Sequence, residues 1–321
     1  MSQEKTSFPL ESTVPFASSN NTTIALIAVF ASLILYACIP ILLKISESDL
    51  TANATIFNRC WIATAMLGCW NIISGIKKQS FTVQVFPSNF SNTWFLLCLL
   101  GIFSVGHFLL YARSLTQTSV ANSEVLHSLT PLFTTFIGWM FLGQQFDRRF
   151  LLGIAIAIGG SIILVANDFS IALNKLQGDE LALVSAIFWG GCLLILEKLQ
   201  TQLNPIIITT WNELIGSICL LPILLIGGDN LIPTSGKIWA ILTAMGIIGI
   251  FARILITYSL KQLSSGLVAI ILLLHPAITA ILAWVIFSEF FSLTNFLGFT
   301  IILLGVYLTT LSKVGIKKGE D

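Results

Sequence analysis

Apolar residues in this chain neither alternate nor keep to one helical face; they run on for about twenty positions at a time, which is the pattern of a helix surrounded by lipid. Ten runs qualify, at approximately 24–43, 53–75, 94–113, 120–141, 150–166, 180–197, 205–226, 238–260, 266–287 and 295–311. A helix crosses hydrocarbon because it satisfies its own backbone groups where lipid offers no partner. The pattern therefore predicts an all-α integral membrane protein with ten transmembrane helices. Residues 1–23 are polar, with Pro9 and Pro15 among Ser/Asn clusters, and read as a disordered cytoplasmic tail and not a signal peptide. Residues 167–179 read as a linker and 313–321 as a second cytoplasmic tail.

Composition agrees: 55% of residues are hydrophobic and 10% charged, and the mean hydropathy is +0.91, outside the range of soluble domains. A net charge of +1 leaves no basic footprint, which excludes nucleic acid as a partner. Six cysteines (Cys38, Cys60, Cys69, Cys98, Cys192 and Cys219) stand singly in apolar runs, with no metal-ligand spacing. The basic residues orient the chain. With both termini inside, Lys5, Lys77, Lys78, Arg148, Arg149, Lys198, Lys261, Lys313, Lys317 and Lys318 face the cytoplasm, against Lys44, Arg113, Lys175 and Lys237 outside. The expectation is a multi-pass protein of the cell (inner) membrane with both termini cytoplasmic.

The chain repeats itself. Shifted by 145 positions, Trp94 falls on Trp239, Gly101 on Gly246, Pro131 on Pro276, Trp139 on Trp284, Gly153 on Gly298 and Gly160 on Gly305; upstream a shift of 154 sets Lys44 on Lys198 and Asn58 on Asn212. Two five-helix halves follow, and an odd number of spans per half inverts one relative to the other, a design many secondary transporters use. With Leu129-Thr130-Pro131 through Trp139 to Leu152-Gly153 and Gly160, then Leu274-His275-Pro276 through Trp284 to Leu297-Gly298 and Gly305, the sequence resembles the drug/metabolite transporter superfamily, specifically its EamA family. The likeness runs over nearly the whole chain after residue 23. It departs where the family usually has Gly-Glu, at Gly143-Gln144 and Ser288-Glu289, and at Tyr36, where a Trp is common; Trp189 keeps the Trp in the sixth helix. The resemblance implies repeats at 24–166 and 180–312. It also implies a secondary carrier for small metabolites, often an exporter of amino acids, with a central cavity lined by helices 1, 3, 4, 6, 8 and 9.

An ionisable side chain at the bilayer centre costs about 2.5–3.5 kcal/mol on insertion scales, so those present mark a cavity or a partner. Ser104, His107, Tyr111 and Ser114 share one face of the third helix, and Glu124, His127 and Ser128 one face of the fourth. The eighth carries Gly246, Gly249, Arg253 and Thr257; the seventh carries Thr209, Glu213 and Ser217. Each has a structural alternative. His107 lines the cavity or donates to a neighbouring carbonyl; Tyr111 does so or belongs to the interfacial belt; Trp189 contacts substrate or packs; Arg253 binds a carboxylate or forms a static pair; His275 is evenly balanced. Depth suggests Arg59 with Glu124 in one half and Arg253 with Glu213 in the other. Pro131 and Pro276 each free a carbonyl, at His127 and Leu272, and mark helix kinks.

Two cations are too few to hold a phosphate dianion, so a small amphipathic metabolite such as an amino acid fits better. Its expected contacts are His107, Tyr111, Trp189, Arg253 and His275, with Glu124 and His127 coupling export to protons as ion partner. No cofactor, metal or catalytic constellation is expected, and the chain is expected to be a monomer or weak homodimer in the bilayer. Competing classes are a non-transporting receptor or assembly protein on the same fold and an intramembrane enzyme.

Overall fold

The computed structural model describes residues 19–46, 50–77, 90–118, 120–164, 176–228, 231–287 and 293–312. Their regular elements are helices: α1 (Ser19–Ser46), α2 (Ala52–Lys77), α3 (Phe90–Gln117), α4 (Val120–His127), α5 (Thr130–Leu142), α6 (Arg148–Leu164), α7 (Leu176–Leu199), α8 (Pro205–Gly227), α9 (Gly236–Ser259), α10 (Ser265–Leu272), α11 (His275–Phe287) and α12 (Leu293–Thr310). Among the described residues six stretches are long and apolar enough to cross a membrane: Asn21–Leu43, Ser91–Gln117, Asn122–Leu142, Leu176–Leu199, Pro205–Gly227 and Gly236–Ser259.

Among the described residues helices cover the apolar runs, with three corrections. The fourth and ninth runs are each interrupted by a turn, at Ser128–Leu129 and at Leu273–Leu274, two to three residues before Pro131 and Pro276. Residues 19–23, expected in the disordered tail, open α1, and residues 176–179, expected in the linker, open α7. The basic Lys78, Lys175, Lys313, Lys317 and Lys318 and the Ser288-Glu289 pair lie outside the described residues.

Helix ends follow their sequence signals. The Asn204 side chain accepts from the Ile206 N–H ahead of Pro205 at the first turn of α8. Ser235 and Ser264 cap α9 and α10 in the same way. Gly143 ends α5 with φ +63°, a left-handed conformation that favours glycine.

The ionisable side chains of the helices turn inward and large apolar ones cover the outside, as lipid demands. Arg59, Asn58, Asn212, Glu213 and Arg253 are buried, while Ile27, Phe95, Trp139, Phe141 and Ile226 are exposed. Taking α4–α5 and α10–α11 each as one broken rod, the described helices make ten rods, and their packing has an internal exchange symmetry. Replacing each rod by the one five places on turns α1·α9 into α7·α3 and α2·α9 into α8·α3, and it turns the contacts of α7 with α4 and α5 into those of α1 with α10 and α11.

The symmetry reaches single residues in the extensive α6·α12 interface. A Cβ on Gly153 would lie 2.8 Å from the Gly305 carbonyl oxygen, and one on Gly160 would lie 2.9 Å from the Gly298 oxygen. Shifting the first pair by 145 yields the second. Because the pairing runs 153 with 305 and 160 with 298, α6 and α12 are antiparallel, and only hydrogen on the Cα atoms of Gly153, Gly160 and Gly305 lets the backbones approach this closely.

Candidate functional site

The polar centre is assembled by the contact between α3 and α7. The Phe188 ring lies over Gly106 and the Phe103 ring over Gly191, so that each helix offers a notch to the other's aromatic side chain; the two rings are 4.8 Å apart. This fit sets the register. It places His107 Nδ1 3.0 Å from Ser185 Oγ and lets Ser104 donate to Asn212 Oδ1 on α8 at 2.8 Å.

Four rings gather around His107, the first being its chain neighbour Phe108 at 5.0 Å. Trp189 stacks on it at 5.0 Å with 29° between planes, and His127 lies at 5.1 Å. Tyr111 is 6.2 Å away and 5.3 Å from His127. Tyr111 donates from its hydroxyl to Glu124 Oε1, so this half-buried ring works as a partner of the carboxylate and not only as an interfacial aromatic. His127 ends α4, where the turn directs its ring inward, and its Nε2 is enclosed without a hydrogen-bond partner.

Arg253 reaches the same cluster from α9. Its guanidinium carbon lies 5.5 Å over the Trp189 ring, an arrangement favourable for a cation on an aromatic face. The side chain is 1% exposed, yet Nε and Nη1 have no partner. A desolvated guanidinium with open donors is costly, and a bound anion would relieve that cost.

The charges pair differently from the expectation of one pair per half. Arg59 Nη2 meets Glu213 Oε2 at 3.8 Å across the α2·α8 contact; Glu124 is bonded to Tyr111, and Arg253 meets no carboxylate within ion-pair distance among the described residues. Equal depth allowed the expected pairs, but the direction each helix faces decides. Arg59 is accommodated because Gly249 leaves space for it: a Cβ there would sit 2.7 Å from Nη1. Phe108 lies under the guanidinium at 5.2 Å.

The two proline sites also differ. Thr130 Oγ1 donates to the His127 carbonyl at 2.6 Å, replacing the bond that Pro131 removes. In the second half, the residue matching Thr130 is His275, and its imidazole turns away to the backbone of Tyr36 on α1. The Tyr36 carbonyl is open because Pro40, four residues on, has no N–H. His275 thus faces α1, against which α11 packs.

Sequence reasoning missed three contributors. Ser185 holds His107 from the facing helix, and Cys192 Sγ lies 3.5 Å from Ser104 Oγ. Glu197, near the C-terminal end of α7, accepts from the Ser265 N–H at 3.1 Å and from Gln144 Nε2 at 3.4 Å. Gln144 occupies a position where the resemblance led one to expect Glu, and the carboxylate it faces stands on α7. A buried Glu in an apolar helix was a legible signal; serine and cysteine are too common in membrane helices to be one.

The chain is similar to several proteins named as transporters. It is 25% identical over 305 residues to an uncharacterized transporter, YxxF, of Bacillus subtilis, spanning 94% of each chain. It is 20% identical over 290 residues to the pseudopaline exporter CntI of Pseudomonas aeruginosa, spanning 90% of this chain and 96% of that one. Solute carrier family 35 member G1 of Mus musculus is 24% identical over 184 residues, 54% of this chain and 50% of the other. A solved crystal structure shares the fold, with a TM-score of 0.73 over 91% of this chain and 97% of its own at 16% identity. Residues 23–166 and 176–311 each match the EamA-like transporter family, and this multi-pass membrane protein belongs to it.

Proposed function

We propose that this protein is a secondary active transporter that exports a small amphipathic metabolite carrying a carboxylate, such as an amino acid, in exchange for protons. Ten spans form two inverted five-helix repeats, with both termini in the cytoplasm. The exchange symmetry of the packing and the antiparallel glycine contact of α6 with α12 support the inversion. Inverted halves around a central site can open it to either side by rocking.

The observation that carries the substrate reading is Arg253, buried with two open donors against Trp189. The substrate carboxylate takes those donors, and its apolar part lies among Trp189, Tyr111 and His127. His107 and His275 complete the walls, and the breaks before Pro131 and Pro276 serve as hinges. Arg59 with Glu213 is the structural pair. Glu124 answers a phenol and not a cation among the described residues, which leaves it free to take up a proton when the site opens outward and release it inward. His127, one turn away, shares that proton.

The test is efflux of amino acids from proteoliposomes with and without a proton gradient. Gradient-driven efflux is expected for the wild type, and gradient-independent exchange without accumulation for Glu124→Gln. Proton-driven efflux unchanged in that variant rules out the coupling role.

A further inference from the structure

His107 is the centre of the ring cluster, and its hydrogen bonds determine which of its nitrogens carries the proton. Nδ1 faces two atoms of Ser185, the hydroxyl oxygen at 3.0 Å and the carbonyl oxygen at 3.4 Å. The carbonyl can only accept. The hydroxyl has its own proton directed elsewhere, since Ser185 Oγ donates to the His107 carbonyl at 3.3 Å, so it too presents a lone pair to the ring. Both partners require a hydrogen on Nδ1, and a neutral imidazole then carries a bare lone pair on Nε2.

We propose that Ser185 locks His107 in the Nδ1–H tautomer, so that Nε2 is a standing acceptor for the ammonium of a substrate whose carboxylate lies on Arg253. Among the described residues the hydrogen bonds of His107 are made at Nδ1 and at its backbone carbonyl, and Nε2 makes none. His107 and Arg253 both lie against Trp189. One ring therefore has against it a group that can only accept, His107 Nε2, and a group that can only donate, the Arg253 guanidinium.

That arrangement selects. A zwitterion satisfies both groups; a carboxylate lacking the amine leaves Nε2 unmatched, and an amine lacking the carboxylate leaves the guanidinium open. A site built to bond a polar group rejects the analogue without it far more strongly than an apolar pocket distinguishes sizes. Ser185 is a positioning residue: it touches no substrate, and it acts by deciding what His107 offers. This assignment rests on the proposed binding of a carboxylate at Arg253 and adds the opposite pole.

The chain has three histidines, so the tautomer can be read directly. Full-length protein labelled with 15N-histidine and reconstituted in lipid bilayers is examined by solid-state NMR, with His107→Gln used to assign the signal. The expected result is a protonated Nδ1 and a bare Nε2 in the wild type, and loss of that single form in Ser185→Ala. A protonated Nε2 in the wild type overturns the lock.

Recognition is tested by binding of L-phenylalanine and of 3-phenylpropanoate to the same preparation. The wild type is expected to favour L-phenylalanine at least tenfold. His107→Asn, which keeps an amide only at the Nδ1 position, should lose the preference, and His107→Gln, whose amide oxygen can occupy the Nε2 position, should keep most of it. Equal binding of the two probes by the wild type overturns the ammonium contact while leaving carboxylate binding intact. If neither probe binds, the proposed substrate class itself fails and the ammonium contact with it, whatever tautomer the spectrum shows.

Discussion

Arg59 and Glu213 face each other at 3.8 Å, joining α2 to α8 with side chains only 5% and 3% exposed. The pair lies between the two halves of the chain and not within either. Removing one member of a buried pair strands the other charge, which costs about 3–5 kcal/mol, whereas replacing both by apolar groups of similar volume is often neutral. Arg59→Met and Glu213→Leu should each lower the melting temperature of the detergent-solubilised protein sharply, and the double variant should regain most of it. A double variant no more stable than the singles would show that the two residues act separately.

Arg253 should behave in the opposite way. Its open donors make it a burden in the empty protein and an asset with substrate bound. Arg253→Met is expected to leave the apo protein at least as stable, because it removes a buried charge with open donors, while abolishing transport. Arg253→Lys should recover little activity, because an ammonium cannot reproduce a planar fork. Thermal unfolding alongside proteoliposome efflux measures both, and a destabilised Arg253→Met would mean that the guanidinium is held by the fold itself.

Two adjacent glycines in α6 should part company. A Cβ at Gly160 would come within 2.7 Å of the Ile302 backbone nitrogen, whereas one at Gly159 meets nothing within 4 Å. Gly160→Ala should cost about 1–3 kcal/mol through overpacking. Gly159→Ala should be neutral or gain up to about 1 kcal/mol from helix propensity. Equal melting temperatures for the two would contradict the close approach of α6 and α12.

Thr130 closes the carbonyl that Pro131 opens. Thr130→Val keeps the shape and removes the donor, and leaving a buried acceptor unmet costs about 1–3 kcal/mol. Thr130→Ser should be nearly silent. Comparison of the two by thermal unfolding separates the lost bond from the lost volume, and a harmless Thr130→Val would indicate that another group reaches the His127 carbonyl.

Much is legible in the amino-acid sequence, and for a single reason: lipid filters composition. A segment that cannot satisfy its backbone or hide its charges does not stay in hydrocarbon, so the apolar runs located the helices, and the ionisable residues left inside them were already a short list of site candidates. His107, Tyr111, Glu124, His127, Trp189 and Arg253 do converge on one cluster. The repeated Trp, Pro and Gly positions were visible because rare residues seldom coincide by chance.

Tertiary structure decided who meets whom. Sequence position supplies depth along a helix but not the direction its face takes, and that direction is set where side chains interlock. Phe188 over Gly106 and Phe103 over Gly191 fix the rotation of α3 against α7 and so bring His107 to Ser185. The same cause moved Glu213 from Arg253 to Arg59 and turned His275 toward Tyr36 in place of the bond that its counterpart Thr130 makes. Burial in lipid is a property each segment has alone and can be read from the chain; azimuth belongs to pairs of helices and exists only once they pack.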